Sequence, residues 1–186
     1  MGYSIVFSSQ TGNTELIARR IRKVMGEDGC LYFGSPEHID ASANEVDTHE
    51  PSANEKPSIV FVGSWTDKGA ATPEVTNYLR SLDGARVFLF GTCGFGASDE
   101  YFNEVLTRIR NAMPASCELV GSFMCQGKMP QTVRKRYEAM LAAAAPASSE
   151  ARRAQMLIDN FDAALAHPNN DDLRALDADL REAGLI

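Results

Sequence analysis

Two runs, Ser58-Ile59-Val60-Phe61-Val62-Gly63 and Arg86-Val87-Phe88-Leu89-Phe90-Gly91, are apolar at every interior position rather than at every second one. A strand with one wet face alternates. A strand buried on both faces does not, and that is the condition of a parallel sheet covered by helices. Each run leads through a loop into a helical period. Thr72-Pro73-Glu74 offers a cap and a proline at the first helical position, ahead of Val75, Tyr78, Leu79 and Leu82. Tyr101 to Met113 carries Phe102, Val105, Leu106, Ile109 and Met113 on one face.

The same alternation brackets these two units. Tyr3-Ser4-Ile5-Val6-Phe7 reads as a first strand, and Glu15 to Met25 as a helix with Leu16, Ile17, Ile21, Val24 and Met25 inward. Cys30 to Phe33 is a short second strand and Cys117 to Met124 a fifth. Gln131 to Ala144 is a helix packed through Val133, Tyr137 and Leu141. Between them, Ser35 to Pro57 holds three prolines and six acidic residues against one Lys, so it reads as a long exposed crossover with at most a short helix. Right-handed crossovers then give an α/β fold, a doubly wound five-stranded parallel sheet in the order 2-1-3-4-5 with helices on both faces. Ligands of such sheets bind outside the carboxyl ends of the strands.

Beyond Pro146 the pattern changes. Ser148 or Ser149 caps a helix with a stripe of Met156, Leu157, Phe161, Ala164 and Leu165; His167-Pro168-Asn169-Asn170 breaks it; and Leu173, Leu176 and Leu180 mark a last helix. This divides the chain into a domain over residues 1–146 and a C-terminal helical extension over 147–186 packed on the same domain. A formal charge of −7 argues against a nucleic-acid partner. No apolar run reaches a membrane span and no leader pattern opens the chain, so a cytoplasmic location is expected, with no membrane partner. The four cysteines lack Cys-x-x-Cys spacing and the three histidines are scattered. Buried thiols are therefore expected, and no metal site.

The loop with the most chemistry is Ser8-Ser9-Gln10-Thr11-Gly12-Asn13-Thr14, between the first strand and the first helix. It gathers four hydroxyls, two amides and a glycine where a helix leaves its first N–H groups unpaired, which is an anion site. Gly12 lets the backbone approach a ligand, and Thr14 or Asn13 can cap the helix. A capped turn with no ligand would use the same residues. With no Lys or Arg in the loop, a phosphate there is held by neutral donors. The chain lacks Gly-x-Gly-x-x-Gly and Gly-Lys-Ser/Thr: Gly94-Phe95-Gly96 has Asp99 in place of a third glycine, and Gly127-Lys128 is followed by Met129.

Ser9-Gln10-Thr11-Gly12-Asn13-Thr14 resembles the phosphate loop of flavodoxins, (S/T)-x-T-G-x-T, in its usual place after the first strand. The resemblance implies a flavodoxin-like fold and FMN as cofactor, its phosphate on this loop. It implies two further flavin loops. In Ser64-Trp65-Thr66-Asp67-Lys68-Gly69, Trp65 suits ring stacking, and Gly69 is the candidate for a peptide that turns over on reduction, although it does not align with the family's usual glycine. In Thr92-Cys93-Gly94-Phe95-Gly96, backbone donors meet the pyrimidine edge. The second ring face is left to Phe95, to Tyr101 or to nothing. Flavodoxins generally surround the ring with acidic residues, and Lys68 breaks that pattern. Gly63 to Gly69, Phe90 to Gly96, Cys125-Gln126-Gly127-Lys128-Met129 and His167-Pro168 together look like a bacterial flavodoxin branch that includes the flavodoxin-like partner of bilirubin reductase. The function implied is that of an electron-transfer protein relaying electrons to a larger redox partner protein, with no catalytic residue of its own. The alternative is an FMN-dependent NAD(P)H:acceptor oxidoreductase acting on a quinone or a flavin. The sequence does not speak to oligomeric state.

Overall fold

The computed structural model describes residues 2–39, 57–96 and 98–186. Most of the expected crossover, residues 40–56, therefore lies outside the described residues; its start holds a short 3₁₀ turn, Pro36–His38. Five parallel strands, β1 (Tyr3–Ser8), β2 (Cys30–Gly34), β3 (Ile59–Trp65), β4 (Arg86–Cys93) and β5 (Glu118–Gln126), pair in the order β2-β1-β3-β4-β5. Strands β3, β4 and β5 each run two residues beyond the expected ends, so Ser64, Trp65, Thr92 and Cys93 belong to strand ends rather than loops.

Helices α1 (Asn13–Met25), α2 (Pro73–Ser81), α3 (Asp99–Arg110), α4 (Gln131–Ala143), α5 (Ser149–Ala164) and α6 (Asn170–Glu182) complete the chain. On one face of the sheet, Tyr3, Ile5, Phe61, Phe88 and Phe123 pack against Ile17, Ala18 and Ile21 of α1 and Leu176 and Leu180 of α6. Rings step across three neighbouring strands there, Tyr3 to Phe61 at 5.8 Å and Phe61 to Phe88 at 5.7 Å. On the other face, Val6, Val60, Val62, Val87 and Leu89 meet Val75 and Leu79 of α2 and Val105, Leu106 and Ile109 of α3.

Three helical faces differ from the expectation. Leu16 is 40% exposed, because Ile17, Ala18 and Ile21 already fill the ground under α1. The stripe of α5 is rotated: Ala154, Ile158, Phe161 and Ala164 are buried, whereas Met156 and Leu165 are 50% and 42% exposed. Finally, α4 buries no residue fully and pairs with α5 as a helical hairpin, Arg134 reaching Asp162 at 2.6 Å. The sheet-covering place beside α1 goes to α6, whose Leu176 and Leu180 are fully buried and whose C-cap residue Ala183 lies against Gly121 of β5. Arg20 of α1 clasps Asp177 of α6 with both arms of its guanidinium, Nε to Oδ1 at 2.9 Å.

Candidate functional site

Strands β1, β3, β4 and β5 all end at one edge of the sheet, with Ser8 level with Ser64 and Gly91, and Cys93 level with Gln126. The loops leaving them enclose a cleft of about 680 Å³. Gln10, Thr11, Asn13, Trp65, Thr66, Asp67, Lys68, Gly69, Thr92, Cys93, Gly94, Phe95 and Tyr101 line it; Ser9, Gly12, Thr14, Ser64 and Gly96 do not.

The first loop starts α1 without a side-chain cap. Gly12 itself is the N-cap residue, at φ +82°, and nothing lies within 4 Å of where a Cβ would stand, so the glycine answers to backbone angle and not to space. Neither Thr14 nor Asn13 caps the helix. Thr14 is buried and shares a 2.9 Å hydrogen bond with the Thr92 hydroxyl, tying β1's loop to β4. Asn13 is buried too, its amide donating to Thr11 Oγ1 and to the Lys128 carbonyl, both at 2.8 Å. Ser9 Oγ accepts from the Glu15 N–H at 3.2 Å. Thr11 and Gln10 remain exposed toward the cleft.

In the second loop, Ser64 is an internal strut. Its hydroxyl donates to the Trp65 carbonyl at 2.6 Å and accepts the Thr72 N–H at 3.1 Å. Trp65 stands half-buried on the cleft wall. Asp67 and Ala70 exchange two backbone hydrogen bonds of 3.0 Å around Lys68 (φ +49°) and Gly69 (φ +79°). Two successive left-handed residues are what a two-residue hairpin turn of type I′ requires. The turn carries the lysine ammonium at its tip, and Arg108 of α3 donates to the Gly69 carbonyl at 3.3 Å.

The third loop is held from the extension. Asn160 of α5 donates from Nδ2 to the Gly94 carbonyl at 2.9 Å, while its Oδ1 accepts the Gly96 N–H at 3.2 Å and the Gln126 amide at 3.1 Å. A Cβ on Gly94 would stand 2.3 Å from the Met129 side chain, so glycine there permits close approach of the β5–α4 loop. Phe95 and Tyr101 meet edge to face at 5.9 Å, and Tyr101 also lies over Gly96. Burial pushes the Cys93 thiol up to about 12 and raises Cys125 as well, so both stay protonated and unreactive at neutral pH. All four cysteines are free, and among the described residues no cluster of His, Cys, Asp and Glu has the makings of a metal site.

A fourth wall was not expected from the sequence. Gly127 to Pro130, with Thr132, Val133, Arg136 and Tyr137 of α4, closes the cleft opposite Trp65's turn. Val133 and Tyr137 thus face the cleft and not a sheet. The usable signal was the strand-end rule itself, because β5 delivers its loop to the same edge as β1, β3 and β4. The wall also brings Lys128 beside the first loop, which has no cation of its own.

The flavodoxin domain model matches residues 4–180. The flavodoxin-like domain-containing protein BilS of Clostridium symbiosum (strain WAL-14163) is 37% identical over 183 residues, covering 94% of this chain and 92% of that protein. BilS of Clostridioides difficile (strain CD3) is 27% identical, covering 91% and 88%. Among solved structures, oxidised Flavodoxin 2 from Bacillus cereus overlays with a TM-score of 0.42 at 20% identity, covering 88% of this chain and 99% of that one.

Proposed function

Because this chain belongs to the flavodoxin family, we propose that it binds FMN across the cleft and relays single electrons to a larger redox enzyme. Bound FMN supplies the one-electron chemistry, and the protein sets its access and environment. The observation that carries the reading is the start of α1, where the N-cap residue Gly12 brings no side chain over the first N–H groups, opening into the same cleft as Trp65. The backbone N–H groups at the helix start, with the Thr11 hydroxyl and the Gln10 amide, make a donor set for a phosphate, and Asn13 holds the loop in shape through Thr11 and Lys128. A half-buried indole further along the cleft offers a flat face to a ring. These residues fit the cofactor. Thr14, Ser64 and Ser9 serve behind the lining, holding the loops in shape. The backbone of Thr92 to Phe95 is the proposed partner of a pyrimidine edge, with Gly96 tied to Asn160 behind it, and Phe95 and Tyr101 on the cleft wall are the residues offered to a second ring face.

We take residues 1–146 as the cofactor-holding part and 147–186 as the extension that braces it. The proposed partner is a redox enzyme of the bilirubin-reductase type, on the likeness of Gly63–Gly69, Phe90–Gly96 and Cys125–Met129 to that flavodoxin branch. Four free thiols suit a reducing compartment, so the proposal includes a cytoplasmic location. Among the described residues no helix is long and apolar enough to cross a membrane.

The test is one spectrum of the purified protein incubated with FMN and reduced stepwise. Tight FMN binding, riboflavin binding that is much weaker, and reduction in two resolved one-electron steps are the expected results. A protein that stays colourless would overturn the cofactor, and steady oxidation of NAD(P)H by the protein alone would overturn the carrier role.

A further inference from the structure

We propose that the mouth of this cleft is a docking surface for the acidic face of a partner protein. This rests on the cleft being the flavin site. Among the described lining residues, Lys68, Arg108, Lys128 and Arg136 stand against a single carboxylate, Asp67, and all five are exposed. Glu104 shares the charge of Arg108 at 3.1 Å. Among the described residues no ion pair occupies Lys68, Lys128 or Arg136. The whole chain carries a formal charge of −7, so the mouth has the opposite sign to the body around it.

That contrast has a definite physical effect. Exposed charges add little to affinity, but they govern how fast and in which orientation two proteins meet. An acidic patch is attracted to this mouth and repelled by the net negative charge of the chain as a whole, which favours mouth-first encounters. Electron-transfer complexes are small and short-lived, and in them encounter matters more than residence. The arrangement suits a broad patch better than a small anion. Lys68 rides a turn fixed between β3 and α3, whereas Lys128 is tied through its carbonyl to Asn13 on the far wall. Four solvated cations on separate elements do not converge as a desolvated small-ligand site would. A nucleic acid, charged along its whole length, would meet the acidic body beyond the mouth. A partner protein need be acidic only over the contact.

The first experiment needs no flavin. Trp65 is the only tryptophan and lines the cleft, so its emission reports occupancy. Oligo-glutamate should change Trp65 emission in low salt and oligo-lysine should not. Lys128→Glu with Arg136→Glu should weaken the oligo-glutamate response at least fivefold, with the melting curve as the check on folding; if that variant does not fold, the wild-type comparison decides. In the second experiment the FMN-loaded, reduced protein is mixed with acidic plastocyanin or basic cytochrome c, each rate divided by that for neutral benzoquinone. The plastocyanin rate should fall at least tenfold as salt rises from roughly 0.02 to 0.5 M, and the cytochrome c rate should stay level or rise. The proposal is overturned if oligo-lysine moves Trp65 as much as oligo-glutamate, or if the plastocyanin rate does not fall with salt. It is overturned too if ferricyanide shows the salt effect and plastocyanin does not, which would mark a small-anion pocket, or if a DNA strand of equal charge displaces oligo-glutamate at lower concentration. Failure of the flavin reading would appear separately, as a colourless protein that still answers the first experiment.

Discussion

The two ends of the cleft are built in opposite ways. The first loop, Ser8 to Thr14, is one contiguous segment between a strand and the helix it starts, and its donors are neutral. The other end is assembled from residues far apart in the chain: the β5–α4 loop and α4 supply a wall with its cations, and Asn160 of α5 braces Gly94 and Gly96 of the third loop. A contiguous loop can be read from a few residues because its chemistry is fixed by its neighbours along the chain. An assembled wall depends on where helices finally pack, and no local pattern states that.

The sharpest way to break the comparison is to remove the extension that braces the assembled side, leaving the β5–α4 loop and α4 in place. Cutting the chain after Pro146 deletes Leu176 and Leu180, both fully buried, and each such side chain is worth about 1.5–3 kcal/mol. A loss of several kcal/mol should lower the melting temperature by roughly 10 °C or more. An unchanged melting curve would mean that α6 contributes nothing to the core.

Thr11→Ala probes the contiguous side. It removes a hydroxyl donor to a charged group, worth about 1.5–3 kcal/mol, so FMN affinity should fall tenfold or more while riboflavin affinity holds. Thr14→Ala instead strands the buried Thr92 hydroxyl and should lower stability by about 1–3 kcal/mol without separating the two ligands. Parallel losses of FMN and riboflavin in Thr11→Ala would dismiss the loop as a phosphate site.

Asn160→Leu asks whether the assembled side acts on the ring end. Its amide holds Gly94 and Gly96, and one net hydrogen bond is worth about 1 kcal/mol, so FMN and riboflavin should both weaken about fivefold. An effect on FMN alone would contradict this assignment.

The smallest effect expected is on acid stability. The hydrogen bond from Arg20 holds the Asp177 carboxyl below its ordinary value, against the upward push of burial. A carboxyl lowered in the folded state contributes stability that is present above its unfolded pKa and lost as pH falls through the folded one. Denaturation followed from pH 5 downward should therefore show a steeper acid limb in the native chain than in Asp177→Asn, which has no proton to take up there.

The strand runs and their order were legible because burial on both faces writes an unbroken apolar signature, as in Ile59 to Val62 and Val87 to Phe90. The convergence of loops followed from topology alone. The exchange of roles between α4 and α6 was not legible. Both helices carry three apolar residues at helical spacing, and the choice lies in which stripe fits the ground left by Phe88, Phe123 and Gly121. Nor did side-chain direction follow from the motif: Thr11 and Thr14 are equivalent in the pattern, yet one faces the cleft and the other is locked to β4. Lys128 was visible as part of a segment, but its place beside Asn13 came only with the closed sheet edge.

The hydrogen bonds from Asn160 bear on how the molecule is made. Synthesis runs from the N-terminus at about 5–20 residues per second, so Ser8 to Thr14 leaves the ribosome long before α5 does. A chain arrested at Pro146 has its first loop but not the amide that holds Gly94 and Gly96, nor the leucines that cover β5. Roughly 2–8 seconds of further elongation separate that stage from the last helix. During that interval the nascent protein offers the first loop of the cleft without the brace of the third, so the complete cleft belongs to the end of translation.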